Sequence, residues 1–440
     1  MKRLLVTLVL VVVSASSGLA QAQSQDERPA SIRVRTDVVV RWAPRWVLQA
    51  RETEVGAVQR FWHRVDELPM TLRLSLDADR LMKGRIGVHL ATWGTLDLTV
   101  DTEGGIAAGD VALGYVDARL GKAKVWLGRR FITWGPPGGL HLDGAGADVD
   151  ISHGFSVEAF AGRPVVSRML TSTGASGNLT QPTGAYGGRV SWVRAGFASA
   201  SAAYVQRWSH GLETDRVVDV DFSARPSNWA DLNGGATWDV RTSRPTQAQI
   251  GVDLVAHRAF RLLVLGSYVD PRALLPDWSV LKAFSSMLYT EAALGGTLRV
   301  SNGVHLRVEG AYRRSWQPDR QDGETLNGYR IDAYVRGVPW GGRPGYRVMV
   351  SRRDDGAMGY TLVQAAVAFE TTRDLQLAVE LSAAFDDALE REAYVGRLSG
   401  EYRVASAWTV GAALDVSRTP TADAEVRGLL RAVYRRGVSQ

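Results

Sequence analysis

Leu375-Gln376-Leu377-Ala378-Val379-Glu380-Leu381-Ser382-Ala383-Ala384-Phe385-Asp386 is the stretch that decides the fold. Leu375, Leu377, Val379, Leu381, Ala383 and Phe385 fall on one side of an extended chain, and Gln376, Glu380, Ser382 and Asp386 on the other. A strand of this length, rising about 3.3 Å per residue and tilted about 40°, crosses roughly the thickness of a bilayer. The same alternation recurs, segment after segment, from residue 184 to Tyr434. This pattern predicts an all-β fold, a transmembrane antiparallel up-and-down β-barrel.

The N-terminus points to the same destination. Met1-Lys2-Arg3 is a basic start, Leu4 to Val13 is a continuous apolar run, and Ala20-Gln21-Ala22 fits the small-x-small rule of a secretory signal. Cleavage is expected after Ala22, because an apolar run this short cannot span the hydrocarbon layer. Beyond it no stretch reaches about eighteen consecutive apolar residues, so helical membrane spans are not expected. A content of 45% hydrophobic and 22% charged residues suits an outer-membrane barrel, where only every second residue faces lipid. The 46 glycines and 14 tryptophans fit close backbone approach and interfacial aromatic belts. There is no cysteine, which excludes disulfides and thiol chemistry. Loss of Lys2 and Arg3 with the signal lowers the formal charge from +6 to +4, too mild an excess to suggest nucleic acid.

The expected layout is a signal peptide over 1–22, an N-terminal element over 23–69 and the barrel over 70–440. Ile32 to Trp42 reads as a strand, whereas Val47, Val55, Val58, Phe61, Trp62 and Val65 stand near helical spacing. The element can lie at the periplasmic rim, plug the barrel or supply its first strands. From Met70 onward 21 strand-like segments follow, giving an expected even count of 18 to 22. Short links such as Gly121-Lys122, Ala195-Gly196, Asn302-Gly303 and Ala405-Ser406 alternate with longer polar ones at Val166–Thr183, Asp270–Ser286, Gln317–Leu326 and Arg418–Ala424. Bacterial barrels place short turns in the periplasm and long loops outside. The Asp270–Ser286 connection carries Ala273, Leu274, Leu275, Trp278, Val280, Leu281 and Phe284, and either folds into the pore or packs on the rim or on a neighbour. Many barrels end on an aromatic residue at the close of the last strand, whereas here Tyr434 is followed by Arg435-Arg436-Gly437-Val438-Ser439-Gln440, read as a short periplasmic tail.

Giving the apolar positions to lipid sends a mixed-charge set inward: Glu291, Arg299, His305, Arg307, Glu309 and Arg313, then Arg330, Asp332, Tyr334 and Arg336. Arg347, Glu380, Arg397, Glu401, Arg403, Arg427, Arg431 and Arg435 complete it. Such charges either pair with one another and keep the wall rigid, or contact permeants through the fixed donors of arginine.

Val125-Trp126-Leu127-Gly128-Arg129-Arg130-Phe131-Ile132-Thr133-Trp134-Gly135, followed by Leu142-Asp143-Gly144 and Phe155–Pro164, resembles the strand-loop-strand of porin-like and alginate-export-type outer-membrane channels. The resemblance covers about forty residues of the 440. It implies a passive conduit for a polysaccharide or a small solute, with Arg129, Arg130 and Asp143 as candidate contacts to anionic cargo. Export of a polysaccharide would add periplasmic export components as partners. Outer-membrane lipid and the barrel-assembly machinery are the other expected partners, and a homo-oligomer is left open.

Enzymatic readings find no constellation. Ser301-Asn302-Gly303 is a hairpin-turn signal rather than a serine nucleophile, and His210 beside Asp215, Asp219 and Asp221 reads as solvated surface. The seven histidines are scattered without metal-ligand spacing, and no cofactor motif is present. Energised uptake would call for a plug domain of well over a hundred residues, and about 45 stand between the expected cleavage point and Met70. The expected function is a porin-like outer-membrane channel for small or anionic solutes or a polysaccharide. The alternative is a non-conducting barrel that anchors a surface polysaccharide or an envelope assembly.

Overall fold

The computed structural model describes residues 31–52, 58–98, 108–134, 139–165, 183–209, 212–270, 287–316, 325–338, 345–354, 359–387, 391–419 and 422–439. The signal segment with its cleavage point, and most of the three longest connections, lie outside them.

The described chain is almost entirely strand. The first elements are β1 (Ser31–Glu52), β2 (Val58–Glu67), β3 (Pro69–Arg80), β4 (Ile86–Asp97), β5 (Ala108–Leu120), β6 (Ala123–Ile132), β7 (Leu140–Ser152) and β8 (Phe155–Pro164). They are followed by β9 (Gly184–Arg194), β10 (Ala198–Ser209), β11 (Leu212–Ser227), β12 (Ala230–Asp239), β13 (Arg244–His257), β14 (Phe260–Val269), β15 (Leu288–Ser301) and β16 (Val304–Trp316). The last are β17 (Thr325–Gly337), β18 (Gly345–Asp354), β19 (Gly359–Glu370), β20 (Leu375–Asp386), β21 (Arg391–Ala405), β22 (Trp408–Thr419) and β23 (Ala422–Ser439). One short helix, α1 (Leu81–Gly84), joins β3 to β4.

Every pairing is antiparallel, and from β3 to β23 each strand pairs with the next. The wall closes through the first half of β1. Ser31–Trp42 pairs with β23 on one side, and Ser31–Val40 with β3 on the other. The second half of β1 leaves the wall and, among the described residues, pairs with β2 alone, Ala43 against Glu67 through Glu52 against Val58. The result is a closed barrel of 22 strands, the even number that returns both ends of the chain to one rim.

Of the N-terminal element, Ser31–Trp42 thus supplies one strand of the wall, and Ala43–Glu52 with β2 forms a ribbon outside it. The helical spacing of Val47, Val58, Phe61 and Val65 is not used, because those residues sit in a two-stranded ribbon. Links at the rim holding Ser31 and Ser439 are short, as at Gly121-Lys122, Asn302-Gly303 and Ser406-Ala407, except residues 338–344. That rim is the turn end, and the opposite one is the loop end. Arg418–Ala424 is tighter than its polarity suggests, since Thr419 already faces Ala422.

In register, most strands, and β20 to β22 most cleanly, have one apolar and one polar face. Leu377, Val379 and Leu381 of β20 stand exposed beside Leu398 and Tyr402 of β21 and Val410 and Leu414 of β22. Aromatic pairs bound this apolar face at both ends. Tyr186 with Trp208, Tyr268 with Trp316 and Phe385 with Tyr394 lie towards the loop end. Phe155 with Trp192 and Trp408 with Tyr434 lie towards the turn end. Tyr434 thus takes a girdle position although the strand continues past it. Phe260 and Tyr268 on β14, like Tyr394 and Tyr402 on β21, are separated by about 20 Å along the barrel axis at the usual rise and tilt, close to the roughly 25 Å apolar band of outer-membrane barrels.

Candidate permeation surface

The polar face is a chain of ion pairs, densest on β15 to β18. Arg313 of β16 donates Nε and Nη2 to Glu291 Oε2 of β15 at 3.0 and 2.7 Å, with its guanidinium 4.2 Å from the Tyr289 ring centroid. Arg330 of β17 donates to Glu309 Oε1 at 2.8 Å and Glu291 Oε1 at 3.2 Å, and also to Asp332. Arg307 donates to Glu309 Oε2 at 2.6 Å, and Ser351 of β18 to Asp332 Oδ1. Three carboxylates and three guanidinium groups thus neutralise one another, and Arg330 reaches across β16 to hold acids on two other strands. Arg336 of β17 faces Arg347 of β18 and His305 of β16 without an acid between them.

A second assembly crosses the seam of the wall. Arg397 of β21 donates Nε to Asp415 of β22 at 2.7 Å. Arg431 of β23 lies 3.2 Å from Asp37 of β1 and 3.8 Å from Glu401. Arg427 donates to Glu425 at 2.6 Å, and Arg35 to Asp37. Arg403 and Arg299 share this face by register; Arg299 donates to Asn302 in its own turn.

The third assembly is apolar. Trp126, Leu142, Phe160, Ala185 and Val205, from five successive strands β6 to β10, are buried on the polar face together with Ile132 and Leu140. Trp134, just beyond β6, packs on Phe160 with ring centroids 5.2 Å apart and donates its indole N–H to Glu158 at 2.9 Å. Glycine makes the room: a Cβ on Gly146 would stand 2.5 Å from the Trp126 ring nitrogen and 2.6 Å from the Ala159 carbonyl. The G146V variant is expected to push Trp126 off the wall and to destabilise the barrel by about 1–3 kcal/mol, the usual range for overpacking, read by denaturant unfolding in detergent. Unchanged unfolding would show that the cluster is loose.

The three residues taken from the local motif separate. Arg130 lies on the polar face, its guanidinium 5.2 Å from the Trp126 ring centroid and 5.6 Å from that of Tyr115. Arg129 and Asp143 face each other on the apolar side, between Leu127 and Phe131, with Arg129 Nε and Nη2 on the two carboxylate oxygens at 2.6 and 2.8 Å. Arg129 Nη1 adds Asp110 at 3.0 Å. Neighbouring residues of a strand point to opposite faces, so the adjacent arginines cannot share a surface. Arg352 likewise lies on the apolar face at the loop end, and its hydrogen bond to Asp387 holds that carboxyl below the usual carboxylate range.

Several groups on the polar face had no sequence signal. His89 sits between Asp77 at 3.0 Å and Asp117 at 2.9 Å and stacks on Tyr115, joining β3, β4 and β5. Arg189 of β9 donates to Ser201 at 3.0 Å and reaches Asp221 of β11 at 3.3 Å. Among the described residues no cluster of His, Cys, Asp and Glu is arranged to hold a metal ion.

No family model and no curated protein sequence matches this chain. Solved structures do resemble it. The siderophore receptor PirA from Pseudomonas aeruginosa aligns with a TM-score of 0.59 at 10% identity over 94% of this chain and 81% of the receptor. A mutant of the ferric enterobactin receptor PfeA from the same organism gives 0.57 at 7% identity over 94% and 81%. OccAB3 from Acinetobacter baumannii gives 0.43 at 7% identity over 93% and 99%, too low to carry an argument. The two receptor likenesses establish the barrel fold.

Proposed function

We propose that this chain is a porin-like passive conduit of the outer membrane, with the polar face as the wall of a water-filled lumen and the apolar face against lipid. One observation carries the reading: a closed 22-strand wall keeps most of its charged side chains on one face in continuous register and its exposed apolar side chains on the other, with the Arg129–Asp143 and Arg352–Asp387 pairs as exceptions. A barrel of this size encloses more space than wall side chains can fill. The short-turn rim would face the periplasm and the loop rim the outside.

Arginine supports an anionic permeant. From β15 through β23 the polar face carries Arg299, Arg307, Arg313, Arg330, Arg336, Arg347, Arg353, Arg397, Arg403, Arg427, Arg431 and Arg435, more than the acids opposite them can neutralise. Small anionic solutes suit such a wall, and an acidic polysaccharide would meet the same donors.

The purified chain in a planar bilayer is expected to give stepwise current with anion preference, and R427A/R431A to move the reversal potential towards cations. Absence of current steps would favour the non-conducting anchor; current with no response to the arginine variant would remove the permeant role of this wall.

A further inference from the structure

At the turn end, the polar face of β1, β3, β4, β5 and β6 borders a half-open cavity of about 560 Å³. Arg33, Arg80, Arg85, Arg119 and Lys124 line it, against only Asp79 and Asp117. Both acids are already engaged. Asp79 holds Arg33 at 3.2 Å, and Asp117 holds Lys124 at 3.2 Å and His89 at 2.9 Å. Arg80, Arg85 and Arg119 are left with no ion pair and no side-chain hydrogen bond among the described residues.

The connection that supplies two of these arginines carries two non-glycine residues in left-handed backbone, where the β7–β8 turn of the same rim carries one, His153. Arg80 and Met82 both take left-handed backbone, with φ of 61° and 49°, and Gly84 follows at 82°. Left-handed backbone is unfavourable for residues with a Cβ, and it persists only where surrounding structure fixes it. Here the fixing contacts are Arg85 N–H to Leu81 O at 3.0 Å and Arg119 N–H to Arg85 O at 2.7 Å, which tie α1 to the end of β5. Gly87 completes the cavity, since a Cβ there would come within 2.8 Å of the Asp117 carboxylate and 3.0 Å of His89.

We propose that this cavity binds a small multivalent oxyanion. Guanidinium groups present fixed pairs of donors that match phosphate and carboxylate oxygens, and three without partners around one cavity need several negative charges on one ligand. A monovalent ion such as chloride satisfies one of them. Because the cavity opens on the polar face, the ligand comes from the aqueous side rather than as a bilayer lipid headgroup. Binding does not depend on conduction; only its meaning as a docking step for a passing solute rests on the channel reading.

The test is calorimetric titration of inorganic pyrophosphate into the full chain, in detergent and in phosphatidylcholine vesicles with and without phosphatidylglycerol, at matched ionic strength. One saturable site is expected, weakened at least tenfold in R80N/R119Q and unchanged in R373Q, a variant at an exposed turn of the same rim. If the double variant does not fold, R85Q, at an exposed turn position, carries the comparison. No saturable binding, equal binding by the variant, or loss of binding in the phosphatidylglycerol vesicles alone would overturn the proposal, the last by showing that lipid headgroups occupy the cavity. Binding without bilayer current would leave the site intact and remove the channel reading.

Discussion

Replacing Arg330 by alanine is expected to lower the stability of the folded barrel by roughly 2 kcal/mol and to move ion selectivity towards cations. Arg330 is about four-fifths covered and joins Glu291, Glu309 and Asp332, each itself largely covered. Removing one partner of a fully buried pair costs about 3–5 kcal/mol because a charge is left uncompensated. The cost is smaller here, since Glu291 keeps Arg313, Glu309 keeps Arg307 and Asp332 keeps Ser351. The local charge changes from balanced to one net negative. R330A/E309A should regain part of the loss and return the reversal potential towards the parent, because the variant then lacks both a cation and an acid. The stability changes of the two single variants should not add, with a coupling on the order of 1–2 kcal/mol. Additive changes, or a reversal potential that ignores R330A, would mean that the network does not face the conducting path.

The fold was legible because its signal is periodic and repeated. Leu375–Asp386 alternates cleanly, and β20 runs over those same residues with Leu377, Val379 and Leu381 exposed on the apolar face. Where alternation fails, reading along the sequence fails with it. β6 carries Val125, Leu127 and Phe131 on one face and Trp126 and Ile132 on the other, so apolarity alone cannot say which face meets lipid. The first half of β7, Leu140 to Ala145, is poor in β-branched residues, and its pairing with β6 and β8 is what makes it strand.

The sites were less legible for a related reason. A charged residue's face follows from parity within a strand, and the candidate arginines of β16, β17 and β21 to β23 could be placed that way. Its partner follows from register between strands, which a single sequence does not contain. Arg431 meets Asp37 across the closure of the wall, 394 positions away, and Arg330 meets Glu291 two strands away. Arg129 and Arg130 show the cost of carrying a local motif without its register. They are neighbours in sequence and stand on opposite faces.

Deleting Ser31–Trp42 is expected to abolish the folded barrel, whereas replacing Ala43–Glu67 by an Asn-Gly turn between Trp42 and Leu68 is expected to leave it folded. The two halves of one strand differ because only the first belongs to the wall, paired with β23 over Ser31–Trp42 and with β3 over Ser31–Val40. β23 and β3 each run antiparallel to β1 and therefore parallel to each other. Without β1 they cannot close an antiparallel wall, and 21 strands leave two open edges whose backbone groups have no partners in lipid. Among the described residues the ribbon of β2 and outer β1 pairs only with itself, so its removal opens no wall edge. Heat-dependent gel mobility of outer-membrane fractions reads both variants, the folded species being expected in the second and absent in the first. A folded species from the first deletion would show that the wall closes without β1, and loss of folding in the second would show that the ribbon supports the wall.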